Sequence, residues 1–257
     1  MTPSPRIEAL SDGITLHLGD CRDVLPTLGK VDAVVTDPPF SIPHNFGLAK
    51  GRSGKGTRVL QWDWDSKMTR DDVVAALSLA CDRANSFFTF CGLTQATLIA
   101  DAMTEHDFTC KPAAWVKECP APAGKGNWWP SAMQMAVYGY RSGAWFGDDD
   151  PKRSNVFLAD AYRHGNPDKN GHPTQTPLAL MERFVKSMVR PGEIALDPFV
   201  GSGTTGVAAV MWGRKFIGIE IDPKFFDMAC RRISAELRKP RLPLIERPTP
   251  SRQEALL

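Results

Sequence analysis

The sequence predicts an α/β protein built on a mostly parallel sheet with helices on both faces. Two observations carry that expectation. Apolar runs of strand length alternate with stretches of helical spacing along most of the chain, and residues 193–222 read as a strand, a glycine-rich turn, a helix and a second strand. With 257 residues, 42% of them hydrophobic, the chain can bury a full core as one large domain.

Taken in order, strands are predicted at residues 14–18 (ITLHL), 31–36 (VDAVVT), 86–91 (SFFTFC), 113–117 (AAWVK), 134–140 (QMAVYGY), 194–197 (IALD) and 215–220 (KFIGIE), each an alternating or continuously apolar run. Helical spacing is clearest over 70–83, 94–106, 177–189, 204–212 and 223–237. Three segments break the rhythm: 41–61, 118–130 and 142–172 are rich in Gly, Pro, Asn or charge and lack periodicity. Long irregular segments inside a compact α/β domain are usually functional. Residues 1–240 therefore read as a single domain with insertions near 41–61 and 118–172, and 241–257 as a Pro-rich, extended tail.

The bulk properties exclude several classes. Six scattered cysteines with no C-x-x-C pair, and no Cys/His cluster at zinc spacing, point away from a disulfide scaffold or zinc site and toward a reducing cytoplasm. No apolar run reaches the roughly 18 residues of a membrane span, and the N-terminal residues lack the order of a signal peptide. A net charge of +2 does not announce a nucleic-acid partner, so any such footprint is local. One candidate stretch holds Lys50, Arg52, Lys55 and Arg58 with no acid between them.

The glycine-rich turn is "DPFVGSGTTG". Gly201, Gly203 and Gly206 satisfy G-x-G-x-x-G, and Glu220 follows at the spacing that places an acid on a ribose. Glycines permit close backbone approach, and a carboxylate accepts from ribose hydroxyls, so a nucleoside is expected across these strand ends. The plainer alternative is a tight turn with a helix capped by Ser202 or Thr204. Asp197, just before the turn, is badly placed against a pyrophosphate and well placed against a cationic amine. That favours S-adenosylmethionine over a nicotinamide dinucleotide.

The run at 31–36 ends on "TDPPF". Asp37 then sits at the carboxyl edge of the sheet, where open α/β folds bind ligands. Pro38 and Pro39 donate no N–H and stiffen the backbone, which presents the Pro38 carbonyl as a second acceptor beside Asp37. Phe40 offers a face for a flat base. Two fixed acceptors gripping an exocyclic amine favour a pyramidal nitrogen whose lone pair can attack a methyl group, and the anion stands ready for the positive charge that develops. Such amines are hidden in duplex DNA, so the target base is flipped out or already single-stranded.

"TDPPF", "HPTQTP", "DPFVGSGTT" and "GIEID", in that order, resemble the beta group of DNA amino-methyltransferases, over residues 13–237. The resemblance implies a circularly permuted, seven-stranded, Rossmann-like methyltransferase sheet and an S-adenosylmethionine-dependent enzyme acting on DNA. It implies that Asp37, Pro38, Pro39 and Phe40 are the catalytic four, with Asp37 also near the cofactor. It assigns Asp197, Phe199, Gly201, Gly203 and Thr204 to the cofactor loop, Glu220 with Ile221 to its ribose side, and Asp20 of "LGDC" to its adenine. His172, Thr174 and Gln175 match the segment closing over the methionine moiety, and "WDWD" at 62–65 a Trp-Asp element common in the family. Two departures stand out: the family commonly has Lys where Thr176 stands and Glu near Gln134.

Asp37 at the head of the tetrapeptide favours adenine N6 over cytosine N4 by this resemblance. Lys50, Arg52, Lys55 and Arg58 are the candidate phosphate contacts, and Trp128 and Trp129 are candidates for base or groove contact or, equally, for core packing. The absence of a long separate recognition segment predicts a short target sequence. Three alternatives stay open: cytosine-N4 methylation, a non-catalytic DNA-binding module that retains the cofactor, and a nicotinamide enzyme. A homodimer and a cognate restriction enzyme are partners the resemblance allows, and no metal is expected.

Overall fold

The computed structural model describes residues 6–40, 68–117, 132–147, 154–160 and 175–240. In chain order they form β1 (Arg6–Ser11), β2 (Ile14–Leu18), α1 (Cys21–Val24), β3 (Ala33–Thr36), α2 (Arg70–Cys81), β4 (Ser86–Cys91) and α3 (Ala96–Glu105). There follow β5 (Thr109–Val116), β6 (Met133–Tyr140), β7 (Val156–Leu158), α4 (Leu178–Met188), β8 (Ile194–Asp197), α5 (Thr204–Met211), β9 (Lys215–Glu220) and α6 (Pro223–Leu237).

One nine-stranded sheet runs β1-β2-β9-β8-β3-β4-β6-β5-β7. The five strands from β2 to β4 are mutually parallel. β6 lies antiparallel between β4 and β5. All seven expected strands are present, and the expected sheet is extended by two edge strands that the sequence pattern did not announce. β1 pairs antiparallel with β2 and shows only half-exposed and exposed residues, so its alternation is weak. β7 is three residues long, too short for a period, and lies inside the stretch expected to be irregular.

Strand side chains alternate between two cores. Ala33, Val35, Phe88, Phe90, Ala195 and Phe216 face α4, α5 and α6, whereas Val34, Phe87, Leu196 and Ile219 face α1, α2 and α3. The ring of Phe184 on α4 stacks on Phe88 with centroids 3.7 Å apart. On the opposite face α2 starts with a capping box, in which the Thr69 hydroxyl accepts from Asp72 N and the Asp72 carboxylate from Thr69 N. Its far end is tied to α3 by His106, which contacts Ser78 Oγ at 2.9 Å and Asp82 at 3.0 Å.

This topology places the site. β8 leads to β9 through α5 on one face, and β3 leads to β4 through α2 on the other. β8 and β3 are nevertheless neighbours. Strand order reverses between them, which opens a crevice at their carboxyl ends. Both sequence motifs, at Asp37 and Asp197, fall at that edge. No helix among the described residues is long and apolar enough to cross a membrane.

Candidate active site

The crevice is built around a buried carboxylate. Asp197, at the end of β8, accepts from Thr36 Oγ1 at 2.6 Å, Thr205 Oγ1 at 2.7 Å and Phe199 N at 3.0 Å. Its first role is thus to pin β3, β8 and the start of α5 together, with three donors already on the carboxylate that the sequence reading aimed at a cofactor amine. Burial still pushes its carboxyl up from the ordinary carboxylate range, against the pull of those donors.

The turn that follows is shaped by close approach. Gly203 has φ of +81°, and a Cβ there would lie 2.9 Å from Ala229 Cα on α6. Gly203 itself is the N-cap of α5, with no side-chain cap bond, so neither Ser202 nor Thr204 caps the helix as the plainer alternative supposed. Those two side chains instead bond each other at 3.0 Å, and Arg232 from α6 reaches the Ser202 carbonyl and the Thr204 hydroxyl.

Glu220 closes the turn from the next strand. Its Oε2 accepts from Gly201 N at 2.8 Å and its Oε1 from Asp222 N at 2.9 Å. The residue is 9% exposed, and burial pushes its carboxyl up to about 7 despite the two amides. A buried carboxylate still short of donors fits a ligand that brings hydroxyls. Its neighbour Ile221 is 46% exposed, an apolar side chain open beside the acid.

Asp20 lies at the adjoining strand end, where Gly19 N bonds the Glu220 carbonyl. Its carboxylate caps α1 through Arg22 N and pairs with the Arg22 guanidinium at 2.7 Å, which holds its pKa down. Arg22 bridges on to Asp72 of α2.

Asp37 follows β3 on the other side of the crevice. It is partly buried, and its Oδ2 accepts a short hydrogen bond from Thr176 Oγ1. Burial pushes its carboxyl up to about 7; Asp197 adds to the rise, while the Thr176 hydroxyl and Lys117 oppose it. Pro38 is buried, and the Pro39 carbonyl accepts from Gln95 Nε2 at 3.1 Å. Gln95, fully buried, also takes Gly92 N on its Oε1, so one amide ties the turn after Asp37 to the end of β4. Phe40 is half-buried and packs partly on the core.

Asp37, Pro38, Pro39, Phe40, Asp197, Phe199, Gly201, Gly203, Thr204, Glu220, Ile221 and Asp20 therefore all gather at one sheet edge, with Gln175 buried just before α4. His172, Thr174, Trp128, Trp129, Lys50, Arg52, Lys55, Arg58, the "WDWD" element and the tail lie outside the described residues. Sequence reasoning missed Thr36, Gln95, Thr205 and Arg232, and noted Thr176 only as a departure. Each acts across a gap in the chain that no local pattern records.

Residues 131–231 match the N6/N4 methyltransferase family model, described as DNA methylase. The Type II methyltransferase M2.MboI of Moraxella bovis is 22% identical over 251 residues, covering 90% of this chain and 92% of the relative. The crystal structure of the M1.HpyAVI–SAM complex shares 26% identity at a TM-score of 0.66, covering 85% of this chain and 98% of the other. Residues 131–231 are thus an N6/N4 DNA methylase region by the family model. Over a shorter stretch this chain is 47% identical to the DNA adenine methyltransferase YhdJ of Escherichia coli K12, for 77 residues that cover 30% of this chain and 24% of the relative. The cytosine-N4-specific PvuII DNA methyltransferase, 17% identical over 86% of both chains, shares the methylase fold at a TM-score of 0.63.

Proposed function

We propose that this protein transfers a methyl group from S-adenosylmethionine to the N6 amine of adenine within a short DNA sequence. The observation that carries the reading is the Thr36–Asp197 bond of 2.6 Å, which fixes the strand bearing the amine-gripping Asp37 directly beside the strand bearing the glycine turn. Adenine is supported by the E. coli relative, named a DNA adenine methyltransferase, and by the acid at the head of the tetrapeptide.

In this reading Glu220 accepts from the ribose hydroxyls, Ile221 covers the nucleoside base, Asp20 lies toward its amine, and Gly201, Gly203 and Thr204 cradle the cofactor. Bound S-adenosylmethionine supplies an activated methyl group. Asp37 grips an amine hydrogen of the flipped base and faces the positive charge that grows on nitrogen. The Pro38 carbonyl is the second acceptor, held in register by the Gln95 bond one residue on. Phe40 stacks on the base. His172, Thr174 and Gln175 close over the methionine end. Lys50, Arg52, Lys55 and Arg58 contact phosphate, with Trp128 and Trp129 on the groove side.

Residues 1–240 act as one catalytic domain in this proposal. DNA is the macromolecular partner, and its reaction suits the cytoplasm. A homodimer and a paired restriction enzyme belong to the same reading; sedimentation of the purified protein tests the dimer.

Purified protein, DNA and radiolabelled cofactor are expected to give N6-methyladenine on nuclease digestion. Recovery of N4-methylcytosine would overturn the base assignment. Asp37→Ala is expected to abolish transfer while cofactor affinity by calorimetry stays within a few fold, and retained transfer in that variant would sink the mechanism.

A further inference from the structure

Thr176 stands at the entrance to α4, 7% exposed, and its hydroxyl donates to Asp37 Oδ2 across 139 residues of chain. Three other groups face the same carboxylate. Asp197 at the end of β8 repels its charge, and Lys117 at the end of β5 attracts it. Cys91 at the end of β4 stays a neutral thiol, pushed up to about 12 by burial and by Asp37 itself. Lys117 is half-buried, and its ammonium rests 4.9 Å over the Trp115 ring. Those three act on Asp37 through space, whereas the Thr176 hydroxyl bonds the carboxylate directly.

We propose that Thr176 is the positioning residue for Asp37: its hydroxyl occupies Oδ2, fixes the plane of the carboxylate and leaves Oδ1 as the oxygen that takes the amine hydrogen. The proposal rests on the methyl-transfer reading above. The hydroxyl binds the ionised carboxylate more strongly than the neutral acid, because an anionic acceptor makes the stronger hydrogen bond. It therefore also keeps Asp37 in the form the reaction needs. A threonine does the work by a directed bond with no added charge, so the pH response of this chain depends on a hydroxyl.

The test compares Thr176→Val, Thr176→Ala and Thr176→Ser with the full-length protein. The acid limb of the kcat profile is expected to move up by about one pH unit in the valine and alanine variants. The rate at pH 6 then falls about tenfold and largely recovers at pH 8.5, because raising a midpoint by about one pH unit cuts the ionised fraction about tenfold below both midpoints. Thr176→Ser is expected to stay within about threefold of the parent across the range, since it keeps the donor. KM for S-adenosylmethionine is expected to hold in all three.

Carboxyl NMR of Asp37 in the protein without DNA reads the same upward movement with no turnover involved. An unmoved carboxyl titration in both the valine and alanine variants, or a serine variant as impaired as valine, would overturn the role given to Thr176. A moved titration in a protein that methylates no DNA would uphold that role and overturn the proposed function.

Discussion

Asp37→Asn is expected to make the protein more stable while destroying its activity, and the gain is expected to depend on pH. The wild-type carboxyl is raised from an ordinary value of 3.8 to about 7 in the folded state. A rise of that size corresponds to about 4 kcal/mol, and partial exposure of Asp37 halves that to about 2 kcal/mol. The sign follows from proton binding. Below about pH 4 the acid is protonated whether the chain is folded or not, and it costs nothing. Between about pH 4 and 7 the unfolded chain has released the proton and the folded one holds it, so stability falls as pH rises. Above about 7 the full penalty is in place and stays constant. Asparagine never ionises and still offers an oxygen to the Thr176 hydroxyl. Urea unfolding of both proteins from pH 4 to 8.5, without cofactor or DNA, is the assay. The two stabilities are expected to coincide near pH 4 and to separate by about 2 kcal/mol at pH 8, or about 4–8 °C in melting temperature for a domain of this size. Parallel curves across the range would refute the reasoning.

Gly203→Ala combines a left-handed backbone with a Cβ placed 2.9 Å from α6, so a loss of about 2–4 kcal/mol is expected, together with weaker cofactor binding by calorimetry. An unchanged melting temperature would show that the loop and α6 part easily. Thr36→Val removes one of three donors from the buried Asp197, and the stability from denaturant unfolding is expected to fall by about 1–3 kcal/mol, with Thr36→Ser close to wild type.

The strands were legible because most are buried on both faces. Ile14–Leu18, Ser86–Cys91, Ile194–Asp197 and Lys215–Glu220 begin and end on the residues at which their apolar runs do. β1 was not, since an edge strand with exposed residues carries little hydrophobic signal, and β7 was too short to show a period. At the site, the residues that carry a motif were visible as sequence: Asp37 after one strand, the glycines after another, Glu220 at the next. What holds them was not. Thr176 on Asp37, Gln95 on the Pro39 carbonyl and Thr36 on Asp197 join positions 139, 56 and 161 residues apart, and one hydroxyl or amide leaves no period to detect. Gly203 as the helix cap was hidden for a related reason, as the close approach of α6 that demands it is a tertiary fact.

The order in which the chain is made bears on the β3–β8 junction. At ribosomal speeds of about 5–20 residues per second, the 161 residues between Thr36 and Asp197 take about 8–32 s to appear. For that interval a central, wholly buried strand waits with one edge unpaired, a surface prone to capture by another nascent chain. Slower elongation after residue 36 lengthens the exposure, and chaperone demand is expected to rise with it. Thr36 and Asp197, besides shaping the crevice, are then the residues whose meeting ends the vulnerable phase of biosynthesis.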